Sequence, residues 1–84
     1  MSRTNYSPTF PMFPGDAAAV TPNDSTNLPQ ASVIYVGGAG NVKVTTAQGS
    51  DVTFANVNSG TVLPVQVIRV WSTGTSASSL TAIY

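Results

Sequence analysis

Five of the six prolines in this chain fall before residue 31: Pro8, Pro11, Pro14, Pro22 and Pro29. Proline has no N–H to give to a helix or a sheet ladder, and its ring fixes φ. Neither a helix nor a central strand of ordinary length fits between these positions, and no helical or strand-like period shows there. Residues 1–30 therefore read as an extended arm, and residues 31–84 as the part that folds into a domain. The arm is not a plain linker. Tyr6, Phe10, Met12 and Phe13 interrupt a polyproline-like stretch, and chains that stay disordered rarely carry so much apolar surface. The pattern predicts an arm that orders by lying on a neighbour, with those four residues as its anchors. Asp16-Ala17-Ala18-Ala19-Val20 has the composition of one helical turn, which Thr21-Pro22 would end.

After residue 30 the pattern becomes short β-rich runs separated by Gly, Asn and Ser. Residues 31–36 are one run. In the next, Val42, Val44 and Thr46 alternate with Lys43 and Thr45, as in a half-buried strand. Gln48-Gly49-Ser50-Asp51 is a turn signal, and residues 52–57 follow, with Val52 and Phe54 on one face. Asn58-Ser59-Gly60 opens the longest run, residues 62–72, in which Leu63, Val65 and Val67 share one face while Ile68 and Val70 take the other. Such a change of phase predicts a bulge or burial on both faces. Residues 72–79 read as a polar loop and residues 80–84 as a last strand. The expected fold is all-β: a small antiparallel β-sandwich or open barrel of about five strands, with the extended N-terminal arm.

Composition narrows the function. The chain has no Cys and no His, which removes the ligands of zinc, haem and iron–sulfur sites and the usual nucleophile–base pairs. Only 7% of residues are charged, with zero net charge, where an average soluble domain has about 25%. Arg3, Lys43 and Arg69 are scattered, whereas phosphate-backbone binding needs clustered cations, so no nucleic-acid partner is expected. No apolar run is long enough to span a bilayer, and the first ten residues lack a signal-peptide core. The expectation is a protein that stays where it is made, with no membrane partner and no cofactor or metal. A domain this small, without disulfides and with so few charges, is expected to need partners.

The remaining motifs favour structural roles. Gly37-Gly38-Ala39-Gly40 leads into an alternating strand and not a helix, so it reads as a hairpin turn and not a phosphate loop. Asp16, Asp24 and Asp51 are the only carboxylate side chains, and each sits where a turn or cap is expected. Arg69 and Trp71 share a face of the longest strand. With Ile68 and Val70 they are the candidate oligomer interface, because Trp and Arg are enriched at interface hot spots.

Several segments in fixed order resemble a known family: Ile34-Tyr35-Val36-Gly37-Gly38-Ala39-Gly40-Asn41-Val42, Val52-Thr53-Phe54-Ala55-Asn56-Val57, Gly60-Thr61-Val62-Leu63-Pro64-Val65, and Ser72-Thr73-Gly74-Thr75. The match is to the small spike-base proteins on the heads of tailed phages and gene transfer agent particles. It covers most of residues 28–84, and residues 1–13 carry no matching pattern. The resemblance implies a non-enzymatic virion protein on the outer surface of the capsid, made in the host cytoplasm, that acts as decoration, cement or the base of a head spike. Its implied partners are the major capsid protein, copies of itself in a cyclic trimer or pentamer, and, for a spike base, a head fibre protein. The alternative is a carbohydrate- or host-surface-binding module of a phage particle, with Tyr35, Trp71 and Tyr84 as the binding aromatics.

Overall fold

The computed structural model describes residues 14–84. Six strands form one antiparallel sheet: β1 (Ala17–Ala19), β2 (Ser32–Gly38), β3 (Gly40–Thr46), β4 (Asp51–Val57), β5 (Thr61–Val70) and β6 (Ser78–Ile83). Their spatial order is β1-β6-β2-β5-β3-β4. The expected all-β antiparallel class holds, with β1 as an additional strand.

β5 joins two halves of the sheet. It pairs with β2 between Thr61 and Val67 and with β3 between Val67 and Val70. Both ladders are irregular. The step from Ser32 to Ile34 on β2 faces the longer step from Val67 to Leu63, and Thr45 to Thr46 on β3 faces Arg69 to Val67. Pro64 falls in the first irregularity, where the missing N–H is tolerated. Ile68 is skipped in the second, so Val67 and Val70 both turn inward at 0% and 2% exposure. This is the bulge expected from the phase change. Ile34, Val36, Leu63, Leu80 and Ala82 from one half and Val42, Val44, Val57 and Val70 from the other form a single buried cluster. The sheet thus folds over on itself. Each buried Val, Leu or Ile contributes roughly 1.5–3 kcal/mol.

Gly37-Gly38-Ala39-Gly40 is not a hairpin. β2 pairs with β5 and β6, β3 pairs with β4 and β5, and the two make no ladder with each other. The chain crosses here from one half of the sheet to the other. A Cβ on Gly37 would lie 2.7 Å from the Ser79 carbonyl oxygen, and one on Gly40 would lie 2.5 Å from the Ala77 nitrogen. Gly37 is required because the crossing chain touches the backbone of Ser79, and Gly40 because a contact with the Ala77 backbone is joined to a φ of 155°. The β3–β4 connection, by contrast, is the expected turn: the Gly49 and Thr46 amides donate to the Thr46 and Ser50 carbonyls, and Gly49 has φ 93°.

The described part of the arm is extended, but it lies on its own sheet. β1 pairs with β6, and the Val20 amide donates to the Leu80 carbonyl at 3.0 Å. Farther on, the Asn23 amide donates to the Val70 carbonyl at 2.9 Å and the Leu28 amide to that of Ile68 at 2.7 Å. This strap takes over β5 beyond Val67, where the β2 ladder ends. Val20 and Leu28 pack against the core. A strand, not the expected helical turn, forms at residues 17–19. A lone turn fixes several residues for one hydrogen bond, whereas the open edge of β6 offers a bonding partner along its length.

Candidate functional site

The chain has six charged side chains, and four of them, Asp24, Lys43, Asp51 and Arg69, gather around Trp71 on one outer face. Val42, Val44 and Val70 point into the core, so by strand alternation Lys43, Thr45, Arg69 and Trp71 point outward. Register places Arg69 and Asp51 on either side of Thr45, and the Trp71 amide donates to the Lys43 carbonyl at 2.8 Å. The Trp71 indole N–H donates to Thr45 Oγ1 at 2.9 Å, and the Thr45 hydroxyl donates to Asp51 Oδ1 at 2.6 Å. Lys43 Nζ stands 4.5 Å and Arg69 Cζ 5.2 Å from the indole centroid, within cation–π range.

The strap completes the patch. Arg69 Nε donates to Asn27 Oδ1 at 2.8 Å, and Arg69 Nη1 donates to the Asp24 carbonyl at 3.1 Å. Asn23 Oδ1 accepts from the Ser25 and Thr26 amides, folding the strap locally. The Asp24 carboxylate accepts from the Thr73 amide at 2.8 Å and from the Thr73 hydroxyl. The Thr73 hydroxyl first, then the Thr73 amide, hold the Asp24 carboxyl below its ordinary value, aided by the Ser72 amide and the Lys43 charge and opposed by desolvation.

Asp24 is tied to the 72–73 loop and Asp51 to Thr45, so the two carboxylates do not converge as general acid–base catalysis requires. No group of three potential metal-ligating side chains forms among the described residues. The arrangement clamps the strap onto β5 and presents a polar surface with one aromatic ring at its centre. A second feature is an open depression lined by Thr46, Ala47, Gln48, Ser50, Val65 and Gln66, with no titratable group.

Arg69 and Trp71 do share an outward face and are half-buried there. Val70 is different: at 2% exposure it belongs to the subunit's own core and is not available to a partner. Ile68 sits half-buried at the bulge. Tyr6, Phe10, Met12 and Phe13 lie outside the described residues. The three candidate sugar-binding aromatics do not come together. Tyr35 lies opposite Val62 and Thr81, Trp71 follows the far end of β5, and Tyr84 packs against the core. Asp24, Asn27 and Thr73 were not legible as one site, because 42 to 49 residues separate the partners in the chain.

The other half of the sheet has a contrasting outer face. Direct cross-strand partners point the same way, so Ala17, Ile83 and Val33 form one row, and Ala19, Thr81, Tyr35 and Val62 the next. None of these seven residues is charged. Tyr35 and Val62 are 38% and 47% exposed.

No family profile matches the chain, and no curated protein does. Among solved structures, it is similar to a chain in the capsid of a native gene transfer agent particle computed with C5 symmetry. The two are 30% identical with a TM-score of 0.75, and the likeness covers 84% of this chain and 83% of that one.

Proposed function

We propose that this chain, which belongs to the capsid-related proteins of phages and gene transfer agents, is a decoration protein on the outside of a phage-type head. In that role it acts as cement between capsid subunits or as the base of a head spike. The likeness to a capsid chain, over most of both chains and at 30% identity, is the observation that carries the reading. The described residues agree with it: Asp51 is held by Thr45, Arg69 by Asn27 and the Asp24 carbonyl, and Asp24 by Thr73, a set of bonds that ties the strap to the sheet.

The partners proposed are the major capsid protein and further copies of the chain in a closed ring. A ring requires two different patches on each copy. Tyr6, Phe10, Met12 and Phe13 are proposed as anchors to the capsid or the next subunit. The half-buried Ile68, Arg69 and Trp71 form a second contact surface.

The test is co-sedimentation of purified protein with heads that lack it. Because β1 and Val20 belong to the sheet and core, the informative truncation removes residues 2–13 only. Full-length protein is expected to sediment with heads, and the truncated protein to stay in solution while still folded. Failure of the full-length protein to bind would overturn the reading. Density at threefold positions would mark cement, and density at fivefold vertices a spike base.

A further inference from the structure

We infer that the uncharged outer face of β1-β6-β2-β5 is the seat of residues 6–13 of a second copy of this chain. The inference deepens the decoration reading by naming the surface through which copies join.

The two outer faces of this sheet differ in kind. The β3–β4 side carries Lys43, Thr45, Asp51, Thr53 and Arg69, charged and polar groups whose bonds hold the strap around Trp71. The β6–β2 side carries Ala17, Ala19, Val33, Tyr35, Val62, Thr81 and Ile83. A contiguous apolar face on a small domain marks a contact surface. The chain itself contains a segment of matching character. Residues 4–15 carry no charge, and Tyr6, Phe10, Met12 and Phe13 supply large apolar groups.

Strand direction decides whose segment fits. β1 runs antiparallel to β6, with Ala17 opposite Ile83. One step farther back, the Gly15 amide donates to the carbonyl of Tyr84, the last residue of the β6 line. Pro14 and Gly15 therefore lie past the end of the sheet, on the side away from the rows at Tyr35 and Val62. Returning onto its own face would demand a tight reversal at Pro14 and Gly15. Proline biases the residue before it toward extended backbone, and Pro8, Pro11 and Pro14 are spread along this segment. Extended, the first thirteen residues reach about 40 Å, enough to cross to an adjacent subunit. The β4 edge is a poorer seat. A bulge between Phe54 and Val57 twists it, Asn56 there has φ 55°, and Asp51 charges its start.

The chain has no cysteine, so introduced thiols report without background. Phe10→Cys or Phe13→Cys protein is mixed with Val62→Cys or Tyr35→Cys protein, treated with a short bismaleimide, and mapped by peptide mass spectrometry. Both face positions are exposed, and Trp71 fluorescence checks that each variant is folded. The expected result is arm-to-face linkage between different chains, at least about tenfold above arm-to-arm linkage, an excess equivalent to roughly 1.4 kcal/mol. Adding Val62→Asp to the face partner should abolish it. Linkage no more frequent than chance, or a double-cysteine variant that closes within one chain when dilute, overturns the inference. If heads still bind the full-length protein in that case, the inference falls while the decoration reading stands. Arm-to-face linkage without head binding keeps the inference and removes the decoration reading.

Discussion

Replacing the three glycines 37, 40 and 49 one at a time with alanine separates close backbone approach from backbone conformation. Gly49 has φ 93° with nothing near its missing Cβ, so Gly49→Ala carries only the left-handed penalty, about 1–2 kcal/mol. Gly37 has no unusual φ, but its Cβ would stand 2.7 Å from the Ser79 carbonyl oxygen and 2.8 Å from Ser79 Cβ. The neighbouring strand must shift, at roughly 1–3 kcal/mol. Gly40 combines a φ of 155° with approaches of 2.5 and 2.8 Å to the Ala77 backbone. The backbone penalty of about 1–3 kcal/mol adds to the crowding, giving about 2–6 kcal/mol. Small domains have about 5 kcal/mol in total, so Gly40→Ala should be the most damaging of the three and, at the upper end of that range, unfolded at room temperature. Urea unfolding followed through Trp71, the single tryptophan, reads all three. At a slope near 1 kcal/mol/M, Gly49→Ala and Gly37→Ala should lower the midpoint by about 1–2 M and 1–3 M. Gly40→Ala should lower it by about 2–6 M, a shift that at its upper end leaves no folded baseline. If Gly40→Ala is no worse than Gly49→Ala, the crossing strand does not press on residues 76–79, and the path from β2 to β3 is wrong.

Three further outcomes follow from the clamp and the core. The Thr73 hydroxyl and amide hold the folded Asp24 carboxyl below its ordinary value, so its tether is in full force above the ordinary carboxylate range and is lost as the pH falls through the lower folded value. Hydrogen exchange at the Asn23 and Leu28 amides should accelerate in that acid range in the wild type, whereas Asp24→Asn should exchange faster at neutral pH and lack the acid step. Thr45→Val removes the acceptor for the Trp71 indole and the donor to Asp51 while keeping side-chain volume. It should cost about 1 kcal/mol by urea unfolding and shift Trp71 emission. Val67→Ala empties a fully buried position where the two halves of the sheet meet and should cost about 2 kcal/mol, several-fold more than the same change at the exposed Val62.

Strands whose evidence was local were legible in the sequence. Alternation at Val42, Val44 and Thr46 gave β3, and the shift of phase between Val67 and Ile68 announced the bulge that puts Val67 and Val70 in one core. What was not legible depends on chain segments far apart. Ala17-Ala18-Ala19 is helical by composition and becomes a strand only because β6 has an open edge. The glycines at 37, 38 and 40 look like a turn unless it is known that residues 76–79 lie against them. Val70 read as a second apolar face because a bulge can be inferred from sequence more easily than the face it redirects. Arg69 and Trp71 were recognisable as neighbours by alternation, but Asp24, 45 residues from Arg69, had no local sign of belonging with them.

The strap also changes the physical case for assembly. Taken over residues 31–84 alone, the core was too small for a chain without disulfides, and partners were needed to complete it. The structure completes it from within: β1 covers β6, the strap covers the end of β5, and Val20 and Leu28 add to the buried cluster. Core size therefore no longer demands a partner. The proposed association rests instead on charge distribution. Because Asp24, Lys43, Asp51 and Arg69 are spent around Trp71, the other outer face has none of the charge that keeps small domains dispersed. The pressure to associate falls on Val33, Tyr35, Val62 and Ile83. A core that closes within one chain, beside an outer face without charge, suits the proposed role in a particle whose parts are made separately and joined later.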